Sequence, residues 1–308
     1  MSRRRAPAPA TAGIPPSAAL RPPRPPAPRP RGADVFVRLV LAENLMAELA
    51  AIHALLPRYP YVTVHAEHGA GGDDGGEDGR VILPPCVRLG DLPAAARYAL
   101  AKIDVDAFPL LQLGITLCDA HGRLPALRAP WGATAESVWQ FAVFPGRDTS
   151  SGGSGAATMT LRTLAYALFA SGVVSPGTWG RVTWVAHGGL YHLGFLLKVL
   201  TGGAPLPETK EEFLAALRGY LGGKVFDVRY LAARLPASVS LKGPLAYLAA
   251  LLGAPAAAAR EPWQAGEKSL AACQVFMRIK GLFFAWDGVD MHAGRIHGLH
   301  TPPPPPSS

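Results

Sequence analysis

Tyr61-Val62-Thr63-Val64-His65-Ala66-Glu67 is the stretch on which the fold turns. It is rich in β-branched residues, follows Pro60 and runs into a glycine-rich tract, so it is expected to form a strand. The two-residue period of a strand places His65 and Glu67 on one face. Residues 69–79, which follow, are Gly, Asp and Glu around a single Ala and are expected to form a loop.

Working outward, residues 35–56 carry Phe36, Leu39, Val40, Leu45, Met46, Leu49, Ile52 and Leu56 at near-helical spacing, which predicts one helix ended by Pro57. Residues 110–117 (LLQLGITL) read as a strand buried on both sides, and 139–143 (WQFAV) as a third, with a Gly-Arg-Leu-Pro turn between them. The Gly-Ser stretch 150–156 predicts a flexible connection. Helices are expected over 161–170, 191–200, 208–221, 241–252 and 266–284, with strands at 182–187 and 225–227. Strands first, then alternation with helices, describe an α/β sheet with helices on its faces.

The 308 residues carry a formal net charge of +8, but seven arginines and no acid fall in residues 1–32, leaving the remainder at only +1. So neutral a body argues against a DNA-binding surface. Residues 1–32 also hold ten prolines, and 302–306 is a proline run, so both ends are expected to be disordered tails around one domain at 33–297, with a short tail at 298–308. The prefix lacks the apolar core of a secretory signal. The longest apolar run, residues 245–259, is broken by Gly253 and Pro255, so no membrane span is expected. Cys86, Cys118 and Cys273 are too widely spaced to read as a disulfide framework or a thiolate zinc site, which points to a reducing, intracellular setting.

Several segments, in order, resemble the CAF-type (Pop-type) deadenylases, the nuclease subunit of the Ccr-Not mRNA deadenylation complex. They are residues 61–67, 111–117, Trp139-Gln140-Phe141, Ser171-Gly172-Val173-Val174, 184–200 (WVAHGGLYHLGFLLKVL), Leu206-Pro207-Glu208-Thr209, 225–231, Gln264-Ala265-Gly266 and Ser269-Leu270. The resemblance implies a ribonuclease H-like fold of the DEDD exonuclease type, a mixed sheet flanked by helices. It also implies removal of poly(A) from RNA 3′ ends with two divalent metals, Mg or Mn, held by four carboxylates. Clustered carboxylates are what two closely spaced hard cations require.

This sequence departs from the pattern where the family places its acids. The first two positions are His65 and Glu67, the third is His192 in Tyr191-His192-Leu193-Gly194, and the fourth is Lys268 after Gln264-Ala265-Gly266-Glu267. The family's histidine before that Gln is Trp263 here. Four carboxylates would balance two dications, whereas Glu67, Lys268 and two neutral imidazoles sum to zero. Glu267 is displaced by one residue, about 100° around a helix, from the fourth position. Asp73, Asp74, Glu77 and Asp78 could supply acids only from an ordered loop.

The expectation is therefore a catalytically inactive pseudonuclease and scaffold that docks on the large Not subunit in mRNA poly(A) tail shortening and turnover. The alternative is an active poly(A)-specific 3′-to-5′ exoribonuclease. No cofactor is expected, with a transition metal at His65, Glu67 and His192 as the alternative. Poly(A) RNA is a further possible partner, no membrane or DNA is expected, and the resemblance implies nucleus and cytoplasm. The other histidines, Asp227, Trp139 and Trp184 are expected to be structural.

Overall fold

The computed structural model describes residues 35–69, 88–143, 159–235, 239, 241–254, 264–285 and 288–300. The acidic loop from residue 70, the Gly-Ser connection, Cys86, Trp263, residues 1–32 and residues 301–308 lie outside the described residues, whereas 298–300, expected to begin the second tail, are described and Leu299 is buried. No helix among the described residues is long and apolar enough to cross a membrane.

The strands are β1 (Phe36–Val40), β2 (Tyr61–His68), β3 (Leu110–Cys118), β4 (Ala126–Arg128), β5 (Thr134–Ala142), β6 (Thr183–Ala186) and β7 (Val225–Asp227). The α-helices are α1 (Leu45–Leu55), α2 (Ala94–Ala107), α3 (Leu161–Ala170), α4 (Gly189–Leu200), α5 (Lys210–Leu221), α6 (Val228–Ala232), α7 (Leu245–Leu251) and α8 (Ala265–Phe283). The sheet runs β1-β5-β3-β2-β6-β7, with β4 also paired to β5. β3 is antiparallel to both β2 and β5, whereas β2-β6, β6-β7 and β1-β5 are parallel, so the sheet is mixed.

The expected single helix over 35–56 is instead β1 followed by α1. The break lies at Asn44, whose Oδ1 accepts from Leu41 N–H at 2.8 Å and whose Nδ2 donates to the Leu39 carbonyl at 3.0 Å. Such local side-chain bonds offer the backbone an alternative to continuing a helix. The two parts are then joined across the break: Glu48 of α1 accepts from Arg38 of β1 at 2.6 and 2.8 Å and from the Trp139 indole of β5 at 2.8 Å.

Alternation along the central strands divides the core. Val62, Val64 and Ala66 of β2 pack with Leu113, Ile115 and Leu117 of β3, Trp139 and Phe141 of β5, and buried faces of α1 to α5. Val185 and Phe226 turn the other way, to a cluster with Leu231, Leu248, Ala271, Val275, Phe276 and Ile279 of α6, α7 and α8. Covered on both faces, β3 reads as the continuous apolar run seen in the sequence. Ile296 and Leu299 are buried in the main core, so its packing reaches the last described residues.

α8 lies unusually close to the sheet. A Cβ on Gly114 would stand 1.9 Å from the Ala265 carbonyl oxygen, so only glycine lets the start of α8 meet β3 at this distance. The side chains of Gln112 and Gln140 accept from the N–H groups of Ala265 and Gly266 at 3.2 and 3.3 Å, and Gln140 also donates to the Gln264 side chain. First-turn amides that the helix itself cannot satisfy are thus met by the sheet.

Candidate functional site

His65 and Glu67 share the face of β2 that looks toward α8, as their spacing predicts. A β-bulge follows Glu67 and ends the regular pairing with β3. Glu67 Oε1 accepts the Nε2–H of His65 at 2.9 Å and an N–H of Lys268 Nζ at 2.8 Å. Lys268 stands at the start of α8, aimed there by the Gln112 and Gln140 bonds to the preceding turn. Burial works to raise the Glu67 carboxyl, but His65 and Lys268 outweigh it and hold it at about 2. The carboxylate is ionised, the adjoining ammonium cancels it, and the site is close to neutral.

His192 enters from the first turn of α4. Its ring lies 4.0 Å from that of His65, centroid to centroid, tilted by 40°. His192 Nδ1 accepts the backbone N–H of Ala66 at 3.1 Å. Burial holds both rings below the ordinary histidine range, His192 furthest, since His65 and His187 add to the effect. With one lone pair per neutral imidazole and that of His192 committed to Ala66, its Nε2 carries hydrogen and has no pair to offer a metal.

The structure therefore brings together His65, Glu67, His192 and Lys268. Trp263, the fifth residue singled out in the sequence, lies outside the described residues. Glu267 points elsewhere: its Oε2 accepts from Gln264 N–H at 3.1 Å in a capping box at the start of α8, so it does not replace the fourth acid.

Sequence reasoning passed over two neighbouring histidines. Ala186 pairs with Val64 in the parallel β2-β6 register, so His187, the next residue, leaves the sheet beside His65. Burial lowers His187 to about 4. His68 is stacked between Phe195 at 4.9 Å and Phe108 at 5.8 Å, and burial lowers it too. The one local signal was that His68 ends the strand that carries His65 and that His187 directly follows a strand. Asp227 has the structural role expected of it. Its two oxygens accept from the backbone N–H groups of Gly188, Gly189, Arg229 and His297 at 2.8 to 3.1 Å, fixing the left-handed turn at Gly188 from which α4, and so His192, departs.

These residues do not fit a two-cation centre. The single carboxylate is already shared by two N–H donors, a cationic nitrogen occupies the approach to it, and His192 has its lone pair committed to the Ala66 N–H. Among the described residues, no group of three or more His, Cys, Asp and Glu side chains is arranged to hold a metal ion.

No family model matches the chain. Among known proteins it is 27% identical over 284 residues to the probable CCR4-associated factor 1 homolog 7 of Arabidopsis thaliana, with 86% of this chain and 94% of that protein covered. The probable homolog 10 of the same plant is 25% identical over 289 residues, covering 86% and 93%. The CCR4-NOT transcription complex subunit 7 of Caenorhabditis elegans is 26% identical over 278 residues, covering 86% and 84%. In structure, the chain matches S. pombe Pop2p in its Mg2+- and Mn2+-bound form with a TM-score of 0.63 and 23% identity, covering 85% of this chain and 99% of that one. It matches a chain in the structure of the yeast NOT1 MIF4G domain co-crystallised with CAF1 with a TM-score of 0.62 and 24% identity, covering 87% and 99%. The RNase domain of yeast Pop2 gives a TM-score of 0.61 at 22% identity, covering 86% and 94%. The expected α/β fold of ribonuclease H-like type, a mixed sheet flanked by helices, is borne out.

Proposed function

We propose, from the premise that this chain is related over 86% of its length to the CAF1-type deadenylases, that it is a deadenylase-family subunit of a Ccr-Not assembly and acts there without cutting RNA. The observation that carries the second half is the shared oxygen of Glu67, held between Lys268 at 2.8 Å and His65 at 2.9 Å. Activation of water and stabilisation of a leaving oxygen both need clustered anionic ligands, and here the anion is neutralised from within. Without metal ions, the neutral buried imidazoles around Glu67 are left as bases, and proton transfer alone supplies only a small part of what phosphodiester cleavage demands.

The scaffold half rests on the likeness to a CAF1-containing complex with the NOT1 MIF4G domain. The packing that builds the domain, from β3 to α4 and α8, is retained although the acids are not. In this reading the chain occupies the CAF1 place on the Not scaffold and takes part in poly(A) tail turnover by binding rather than hydrolysis, in nucleus and cytoplasm.

Incubation with labelled oligo(A) and either Mg2+ or Mn2+ is expected to leave the RNA full length. Progressive 3′ shortening that Glu67→Gln abolishes overturns the inactive reading. Pull-down with a purified Not MIF4G domain is expected to retain the chain, and failure to bind removes the scaffold reading.

A further inference from the structure

The face of β3 that meets α8 is built as a matched ladder. Gly114, Thr116 and Cys118 alternate on the strand, and opposite them stand Ala265, Ser269 and Cys273, four apart on the helix. Two strand residues rise about 6.7 Å and four helical residues 6.0 Å, so the two periods stay nearly in step. The first rung is the Gly114-Ala265 backbone contact, and the second is a 2.7 Å hydrogen bond between the hydroxyls of Thr116 and Ser269. At the third the Sγ atoms of Cys118 and Cys273 lie 3.3 Å apart, both free and buried.

Two thiols so placed by independently fixed elements need to close by only about 1.2 Å to reach bonding distance. Beside them is a cavity of about 530 Å³ that includes Tyr61, Met277, Lys280 and Phe284 among its lining residues. Tyr61 and Met277 also pack against the cluster that contains both cysteines, and Tyr61 is the cross-strand partner of Cys118. Two of the side chains that line the cavity, Tyr61 and Met277, are thus also packed against the cluster that holds the sulfurs.

We propose that Cys118 and Cys273 form a redox modification site, in which a peroxide-class oxidant links β3 to α8 by a reversible disulfide. One sulfur, as thiolate, attacks a peroxide oxygen. The O–O bond breaks, and the departing hydroxide takes up the thiol proton as water. The second sulfur attacks the resulting sulfenic acid, the S–S bond forms, the S–O bond breaks and a second water leaves. Two thiols and one hydrogen peroxide become one disulfide and two waters. The hydrogen bond with the Cys273 thiol and then burial push the Cys118 thiol up from its ordinary value, so the reaction waits on parting of the Tyr61-Met277 wall. The linkage closes across 155 positions of sequence and pins α8, which carries Lys268, to the strand beside Glu67. It does not depend on the deadenylase reading.

The test treats the folded full chain with millimolar hydrogen peroxide and maps it by mass spectrometry after alkylation in denaturant. The expected result is a loss of about 2 Da, a Cys118-Cys273 linked peptide, recovery of both thiols with dithiothreitol, and a thermal midpoint raised by about 5 °C or more in the oxidised form. Cys86→Ser should behave alike, and Cys118→Ser or Cys273→Ser should lose the mass change. Both thiols still alkylatable, a link through Cys86, or sulfinic acid at either position without a link overturns the proposal. Because the wild-type map decides, it stands or falls even if a serine variant fails to fold.

Discussion

Lys268 and Glu67 meet at 2.8 Å, nitrogen to oxygen, across the junction of α8 and β2, and this contact sets the charge of the site. Glu67 is held at about 2, below the 4.5 it would have unfolded. A carboxylate so lowered contributes stability above pH 4.5 and loses it as pH falls toward 2. Over that window the wild type is expected to lose on the order of 2 kcal/mol that Glu67→Gln does not, after allowance for a side chain partly open to water. Urea midpoints measured between pH 5 and pH 2.5 check this, and parallel curves for the two proteins contradict it.

Buried imidazoles give a second, separate window. His187, lowered to about 4 by burial, stays neutral in the fold but takes a proton near pH 6.5 when unfolded. Its stabilising effect is present above pH 6.5 and is lost as pH falls to 4. Thermal or urea denaturation of His187→Gln should therefore be flatter than wild type between these values, by roughly 2–3 kcal/mol at the acid end.

Gly114→Ala tests the approach of α8 to the sheet. The added methyl meets a backbone oxygen that no rotamer change can move, so a cost of about 3 kcal/mol is expected. An equilibrium urea curve within 0.5 kcal/mol of wild type would deny the contact.

Lys198 is buried on α4, and its ammonium donates to the carbonyls of Val105, Asp106 and Phe108 at 2.6 to 3.1 Å, closing the C-terminal end of α2. Lys198→Met keeps the apolar stem and leaves three carbonyls without that donor. A loss of about 2–4 kcal/mol is expected, read from the urea midpoint, together with faster amide exchange over residues 102–108.

If charge alone excludes cations, restoring it should admit them. The triple variant His65→Asp, His192→Asp, Lys268→Asp is expected to bind Mn2+ at least about 100-fold more tightly than wild type, a difference of about 3 kcal/mol, measured by the loss of the free-ion EPR signal. A folded triple variant that binds no better than wild type would show that more than these three replacements closes the site.

Much of this was legible in the sequence because its signals were local. The β-branched run at 61–67 gave β2, the apolar run at 110–117 gave β3, and residues 161–170 gave α3 to the residue. The His65-Glu67 juxtaposition followed from the strand period, and the nearness of Lys268 from its place at the fourth acid position of the pattern that the sequence resembles. What was missed needed long-range information. β1 has an apolar spacing that fits a helix equally well, and it becomes a strand because β5 offers it a parallel partner. α2, with an alternation of alanines and charged residues, carries too weak a stripe to stand out. β4 and α6, at three and five residues, are too short for any period. The glutamines that aim α8 had no local signal, and the nearness of His187 depends on which strand lies beside β2. The cysteines, read as unconnected from their spacing, are brought together by a strand and a helix 155 positions apart.

Asp227 receives two of its four donors from residues made before it and two from residues made after, the last being His297, 70 positions on. During synthesis, then, the carboxylate that seats α4 waits one partner short while every later helix is being built. Nascent chains halted just before that histidine should hold the His192 turn loosely and be cut there by protease, whereas chains extended past it should resist.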